Sequence, residues 1–147
     1  MQEYNIELVD ADQATKERFG REWGEWAARH MHLEDGFSIA AMCGDDLAGL
    51  VSVCWRELPA PLPKTFEGYI DIIEVREGYR RRGIARTMIE MAAQRARKQE
   101  AYQLRAWSSE DKAEAIPMWK ALGFGLCPAA TYPRGQEVRG YFVTKVL

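Results

Sequence analysis

Val75-Arg76-Glu77-Gly78-Tyr79-Arg80-Arg81-Arg82-Gly83-Ile84-Ala85 is the stretch that decides the fold. The residues leading into it, Tyr69 to Val75, are rich in β-branched side chains and read as a strand. Those after it read as a helix from Gly83 to about Gln99, with Ile84, Met88, Met91 and Ala92 on one face. A strand that breaks into a turn and enters a helix at once presents unpaired backbone N–H groups at the helix N-terminus. The helix macrodipole favours negative charge at the same place. Gly83 leaves room for close approach, and Arg76, Arg80, Arg81, Arg82 and Arg86 surround it with positive charge. The implied guest is a phosphate, with a pyrophosphate the best fit.

Working outward, Tyr4 to Val9 alternates as a half-buried strand, and Asp10 or Asp12 is placed to cap the helix that follows. In that helix Phe19, Trp23, Trp26, Ala27 and His30 form a single apolar stripe, closed by Gly36. Phe37 to Cys43 and Leu47 to Arg56 are two strands joined by the turn Gly44-Asp45-Asp46. The segment from Glu57 to Gly68 holds Pro59, Pro61 and Pro63 and reads as a loop. Beyond the central helix, Tyr102 to Ser108 is a strand, and Ser108-x-x-Asp111 resembles a capping box for a helix running to about Leu122. Pro117 conflicts with that helix, since an interior proline forfeits a hydrogen bond. Gly123 is a C-terminal stop, and strands from Phe124 to Thr131 and from Val138 to Val146 complete the chain. The order β-α-β-β-β-α-β-α-β-β predicts an α/β fold (α+β, one mixed sheet of six or seven strands) flanked by helices, with one parallel crossover through the helix at 83–99.

Bulk properties bound the function. The 147 residues fit one domain spanning 1–147, and a composition 47% hydrophobic and 29% charged is that of a globular protein. A formal charge of −2 argues against a nucleic-acid partner, because such domains carry a basic excess. Cys43, Cys54 and Cys127 suggest neither a disulfide framework nor a metal site. The opening MQEYNIELVDAD lacks the basic and apolar regions of a signal peptide, and no run is apolar enough to span a membrane. The expectation is a cytoplasmic protein with no membrane partner, leaving room for a homodimer.

Arg80-x-x-Gly83-x-Ala85, after a strand ending at Val75, resembles the Gln/Arg-x-x-Gly-x-Gly/Ala signature of the GNAT (Gcn5-related) N-acetyltransferases. Trp119-Lys-Ala-Leu-Gly-Phe124 resembles that family's Tyr-Glu-x-x-Gly-Phe segment. The resemblance covers the whole element order and implies a GNAT-like acyltransferase domain using acetyl-CoA as acetyl donor, with no metal. It implies that backbone amides from Arg81 to Ala85, including Arg82, Gly83 and Ile84, cradle the CoA pyrophosphate, with Arg80 and Arg86 beside them. It further implies that Ile73, Glu74 and Val75 pair with the pantetheine arm, and that a backbone amide of this strand polarises the thioester carbonyl. A solvated face is the alternative for Arg76 and Arg86.

The reaction so implied is direct attack of a primary amine on the thioester, which needs a base for the ammonium and an acid or water for the leaving thiolate. Asp71 is the first candidate base, four residues before Val75 and so expected on its face of the pleat; Glu74, expected on the other face, is second. Asp71 serves equally as a residue that holds the substrate cation. Trp119 stands where the family carries a tyrosine; its indole N–H only donates, which suits contact with sulfur or pantetheine but not acid catalysis. Lys112 replaces the family's frequent asparagine. Tyr132, Tyr141 or solvent remain as acids. Cys54 or Cys127 as an acetyl-carrying thiolate and a histidine pair at His30 and His32 reaching the acceptor pocket are further alternatives. The acceptor region, Trp23–His32, Leu58–Gly68 and Pro128–Gly140, lacks the acidic density that a polyamine needs, while Arg134 and Arg139 suit a carboxylated amine. A small-molecule amine is the expected acceptor, against a protein N-terminus or lysine, or a catalytically silent acetyl-CoA-binding module.

Overall fold

The computed structural model describes residues 5–112 and 114–147. Strand β1 (Ile6–Asp10) leads into helix α1 (Gln13–Glu22) and a short α2 (Glu25–Arg29). A meander follows of β2 (Gly36–Cys43), β3 (Asp46–Glu57) and β4 (Phe66–Val75). Helix α3 (Ile84–Lys98) crosses to β5 (Gln103–Ser109), and α4 (Ala115–Ala121) leads to the hairpin of β6 (Gly125–Thr131) and β7 (Val138–Val146). The seven strands form one sheet in the order β1-β2-β3-β4-β5-β7-β6. Every neighbouring pair is antiparallel except β4 and β5, the pair joined by the α3 crossover. Tyr4, read as the start of the first strand, lies outside the described residues.

Each face of the sheet carries a core. On one face Ile39, Val51, Val53 and Ile70 pack against Met88 and Ile89 of α3 and Trp119 and Leu122 of the α4 segment. On the other, Phe19, Trp23, Ala27 and Met31 cover Ala40 and Leu50. β3 is buried on both faces along most of its length, as a central strand between two helical layers must be.

Four local expectations are corrected, each for a stated reason. The first helix is two helices, broken where Gly24 adopts φ 112, a conformation open to glycine alone. The break turns Trp26 outward to 46% exposure, with its Nε1 donating to the Trp23 carbonyl at the end of α1. Gly36 opens β2 instead of closing a helix, and a Cβ there would collide with the Val53 carbonyl oxygen. Ser108 stays in β5 opposite Tyr141 and caps no helix. The α4 helix begins only at Ala115, so Pro117 falls in its first turn, where a missing N–H forfeits no helical bond. Asp12, not Asp10, caps α1, accepting from the Thr15 amide at 2.9 Å.

Candidate active site

The sheet comes apart at one point. β4 and β5 pair from Glu67 opposite Gln103 to Ile70 opposite Ala106, and no further. On its other side β4 pairs with β3, but Ile70 faces Val53 and Ile72 faces Ser52, leaving Asp71 as an extra residue in a β-bulge. The bulge and the end of pairing coincide, so from Asp71 onward the β5-facing edge of β4 has no strand beside it among the described residues.

On the α3 side this divergence opens into a cleft of about 680 Å³, walled by Ile73, Glu74 and Val75, by Arg80, Arg81 and Ala85, and by Lys112, Ala115 and Met118. Arg81 (φ 65) and Gly83 (φ 76) both take left-handed backbone, a conformation from which anion-binding turns of successive backbone amides are built. Gly83 is the N-cap of α3 yet gives it no side-chain cap, and the first turn holds no acidic residue. The helix N-terminus is therefore available to an anion. A Cβ on Gly83 would meet no atom of the described residues within 4 Å, so the glycine faces open space. Arg80 ties the turn to the strand, Nε to the Val75 carbonyl and Nη2 to the Glu74 carboxylate, each at 2.9 Å.

The opposite side of the bulge is polar. Asp71 Oδ2 meets His32 Nε2 at 2.8 Å and His30 Nδ1 at 3.2 Å, and His32 Nδ1 meets Asp35 at 2.9 Å. The backbone of His32 is fixed beneath by two buried serines: its amide donates to Ser52 Oγ and its carbonyl accepts from Ser38 Oγ. Burial pushes the Asp71 carboxyl up, but the hydrogen bonds from His32 and His30 outweigh it and hold the group below the ordinary aspartate range. Beside it Tyr69 lies between the guanidinium of Arg56, 4.0 Å from its ring centre, and that of Arg105 at 4.9 Å. Arg105 is in turn bound through Nε to the buried Glu67.

A loop-to-helix anion cradle, a strand edge left open beside it and a carboxylate at the vertex make up one site. The family model described as "Acetyltransferase (GNAT) family" matches residues 3–124. The chain belongs to the GNAT family. It is an acetyl-CoA-dependent acetyltransferase. A structure of Arabidopsis thaliana NAA60 with acetyl-CoA aligns over 97% of this chain and 100% of its own, at TM-score 0.80 and 17% identity. The ribosomal-protein-S18-alanine N-acetyltransferase of Escherichia coli aligns over 95% and 92%, at 0.73 and 16%. Arabidopsis thaliana Naa50 with the bisubstrate analogue CoA-Ac-MVNAL aligns over 97% and 99%, at 0.71 and 14%. At these identities the likeness is one of fold. No curated protein sequence matches the chain.

Within this GNAT domain the residues singled out from sequence fall into distinct places. Ile73, Glu74, Val75, Arg80, Arg81 and Ala85 line the cleft together. Arg76 points away from it, donating to the Glu22 carbonyl and covering the Trp23 ring. Arg86 pairs with Glu90 along α3. The Ile84 side chain is buried in the core, which leaves only its backbone to the turn. Trp119 is 2% exposed and stacked edge-on against Phe124, while Ala115 and Met118 are what α4 presents to the cleft. Tyr132 is 64% exposed at the end of β6. The pleat parity used for Asp71 is corrected: the bulge shifts the alternation by one, so Asp71 faces His32 while Val75 joins the core on the α3 side. The Cys54 thiol is pushed up by burial, which disfavours it as a nucleophile. Sequence spacing gave no sign that His32 and Asp71, 39 residues apart, would meet.

Proposed function

We propose that this GNAT enzyme acetylates the primary amine of a small zwitterionic molecule, by direct attack within a ternary complex. One observation carries the reading: the Asp71 bulge sits where β4 leaves β5, with the anion cradle on one side and a compact group of opposite charges on the other. The backbone amides from Arg81 to Ala85 would hold the pyrophosphate, and the open edge at Ile73–Val75 would hold the pantetheine arm and orient the thioester. Asp71, kept ionised by its histidines, supplies the negative charge that favours the acceptor's ammonium group on this side of the bulge. Arg56, whose guanidinium makes no ion pair among the described residues, is suited to receive a carboxylate at the acceptor's other end. Acetyl-CoA supplies an activated acetyl thioester when bound. Solvent protonates the leaving thiolate in this reading, because the Trp119 indole N–H is too weak an acid and neither Tyr132 nor Tyr141 lines the cleft.

A second reading, acetylation of a protein α-amine, is favoured by the comparisons. The Naa50 complex carries CoA joined to Ac-MVNAL, and the Escherichia coli enzyme is named for a ribosomal-protein alanine. Calorimetric titration with acetyl-CoA, then thiol release over a panel of amino acids, amino-acid amides, plain amines and N-terminal peptides, separates the two. Turnover of free amino acids, lost in their amides, supports the zwitterion. Turnover of peptides alone overturns it in favour of the second reading.

A further inference from the structure

The hydrogen bonds at the vertex distribute the work unequally among Asp71, His32 and His30. His32 uses both ring nitrogens, Nε2 toward Asp71 and Nδ1 toward Asp35, and its main chain is anchored at both ends by Ser38 and Ser52. It is a fixed strut. Asp71 is held ionised, and a carboxylate stabilised in that way is a reluctant proton acceptor. His30 differs from both. It follows the short helix α2, whose end its backbone amide caps, and its side chain is 47% exposed. Its Nδ1 is directed at Asp71 Oδ2, and its Nε2 makes no hydrogen bond among the described residues. A histidine whose Nδ1–H is held by a carboxylate presents a lone pair on Nε2 toward solvent.

We infer that His30 is the general base of this acetyltransferase, with Asp71 as its positioning residue and His32 as the strut that fixes Asp71. His30 Nε2 removes one proton from the acceptor's ammonium group. The freed nitrogen lone pair forms the N–C bond to the acetyl carbon as the C–S bond breaks and the sulfur departs as a thiolate. The second amine proton passes to solvent, which protonates the thiolate, and the proton on His30 also passes to solvent, so charge and atoms balance. The assignment rests on the transferase activity and on neither choice of acceptor. Asp71 on β4 is the hydrogen-bond partner of His30, with His32 and Asp35 beyond it, and the network continues from Asp71 through Cys54 and Arg56 on β3, Tyr69 on β4 and Arg105 on β5. Of these, Asp71 alone touches His30.

The chain has two histidines, so each imidazole is assignable by substituting the other. Long-range proton–nitrogen spectra of the free protein at neutral pH are expected to show His30 with hydrogen on Nδ1 and a bare Nε2. Asp71→Asn should shift it toward the Nε2–H form. An Nε2–H tautomer in the wild type overturns the assignment, with no substrate needed. With the fastest amine or peptide of the panel as acceptor, His30→Gln should lower kcat/KM about a hundredfold and abolish its fall at acidic pH. Acetyl-CoA affinity should be unchanged. In the wild type that acidic limb should coincide with the His30 titration followed in the spectra. A wild-type pH profile in His30→Gln overturns the role even if the tautomer is as expected. Total lack of turnover with every acceptor would defeat the proposed acceptor class, and the tautomer would still decide on His30.

Discussion

Arg80 reaches back across the turn to Glu74, Nη2 to Oε1 at 2.9 Å, so the residue that opens the anion cradle is fastened to the strand that walls the cleft. The same guanidinium donates through Nε to the Val75 carbonyl. Arg80 thus fixes the turn against the strand along the wall of the cleft. The ion pair itself is partly exposed and contributes no more than about 1 kcal/mol to stability.

Arg80→Ala and Glu74→Gln should therefore separate fastening from charge. Arg80→Ala removes both contacts and should weaken acetyl-CoA binding by about tenfold, roughly 1.4 kcal/mol. Glu74→Gln retains the carbonyl contact and removes a carboxylate from the cleft wall. Its dissociation constant should fall by about twofold, a fraction of a kcal/mol. Titration calorimetry reads both. Equal weakening in the two variants would mean that the Arg80–Glu74 pair, not the tie to Val75, shapes the turn.

Gly83 separates folding from binding more sharply. Its φ of 76 strains any L side chain by about 1–2 kcal/mol, yet a Cβ there meets no atom of the described residues within 4 Å. Gly83→Val should lose only about that much stability in urea unfolding. Its affinity for acetyl-CoA should drop by well over tenfold, because the branched side chain fills the space of the incoming phosphate. Retained affinity in a folded Gly83→Val protein would refute the placement of the cradle.

Asp71 links the site to stability. Its carboxyl is held below 3.8, the ordinary aspartate value, so its ionised form contributes stability that is present above that pH. The contribution is lost as pH falls through the lower folded value, where the native carboxylate is forced to protonate. Asp35, lowered by its hydrogen bond from His32, behaves in the same sense. Urea unfolding from pH 7 to pH 2 should show wild type above Asp71→Asn at neutrality, with the gap closing below about pH 4. A gap that stays constant with pH would show that Asp71 contributes packing and not charge.

What was legible in the sequence follows from the range of the interactions concerned. The strand, turn and helix from Tyr69 to Gln99 are fixed by neighbours in sequence, and so are the caps at Asp12 and Gly123. Gly123 and Phe124 complete a C-terminal motif in which the Phe124 amide bonds the Trp119 carbonyl and the Gly123 amide the Lys120 carbonyl. The break at Gly24 had a local signal, a glycine within the apolar stripe, but the periodicity of Phe19, Trp23 and Ala27 outweighed it. The bulge at Asp71 had none. It arises from the mismatch in register between β3 and β4, which no single strand reveals, and it reversed the face on which Asp71 was expected. The His32–Asp71–His30 contact depends on that same bulge, so one unreadable residue of register concealed the polar half of the site.

Trp119 offers the last test, because sequence and structure assign it to different surroundings. Its position in the family-like segment suggests contact with the donor, whereas its ring is buried against Phe124 and its Nε1 has no hydrogen-bond partner among the described residues. A buried donor left unpaired costs about 1–3 kcal/mol. Trp119→Phe removes that donor along with part of the ring, so the loss of packing and the relief of the orphaned N–H oppose each other. The net change should lie within about 1 kcal/mol, against about 3–5 kcal/mol for Trp119→Ala, which empties the site. If the ring serves packing alone, Trp119→Phe binds acetyl-CoA within about twofold of wild type, a small fraction of the 1.4 kcal/mol that a decade requires. A tenfold loss of affinity at unchanged stability would instead place the indole against the donor, as the sequence first suggested.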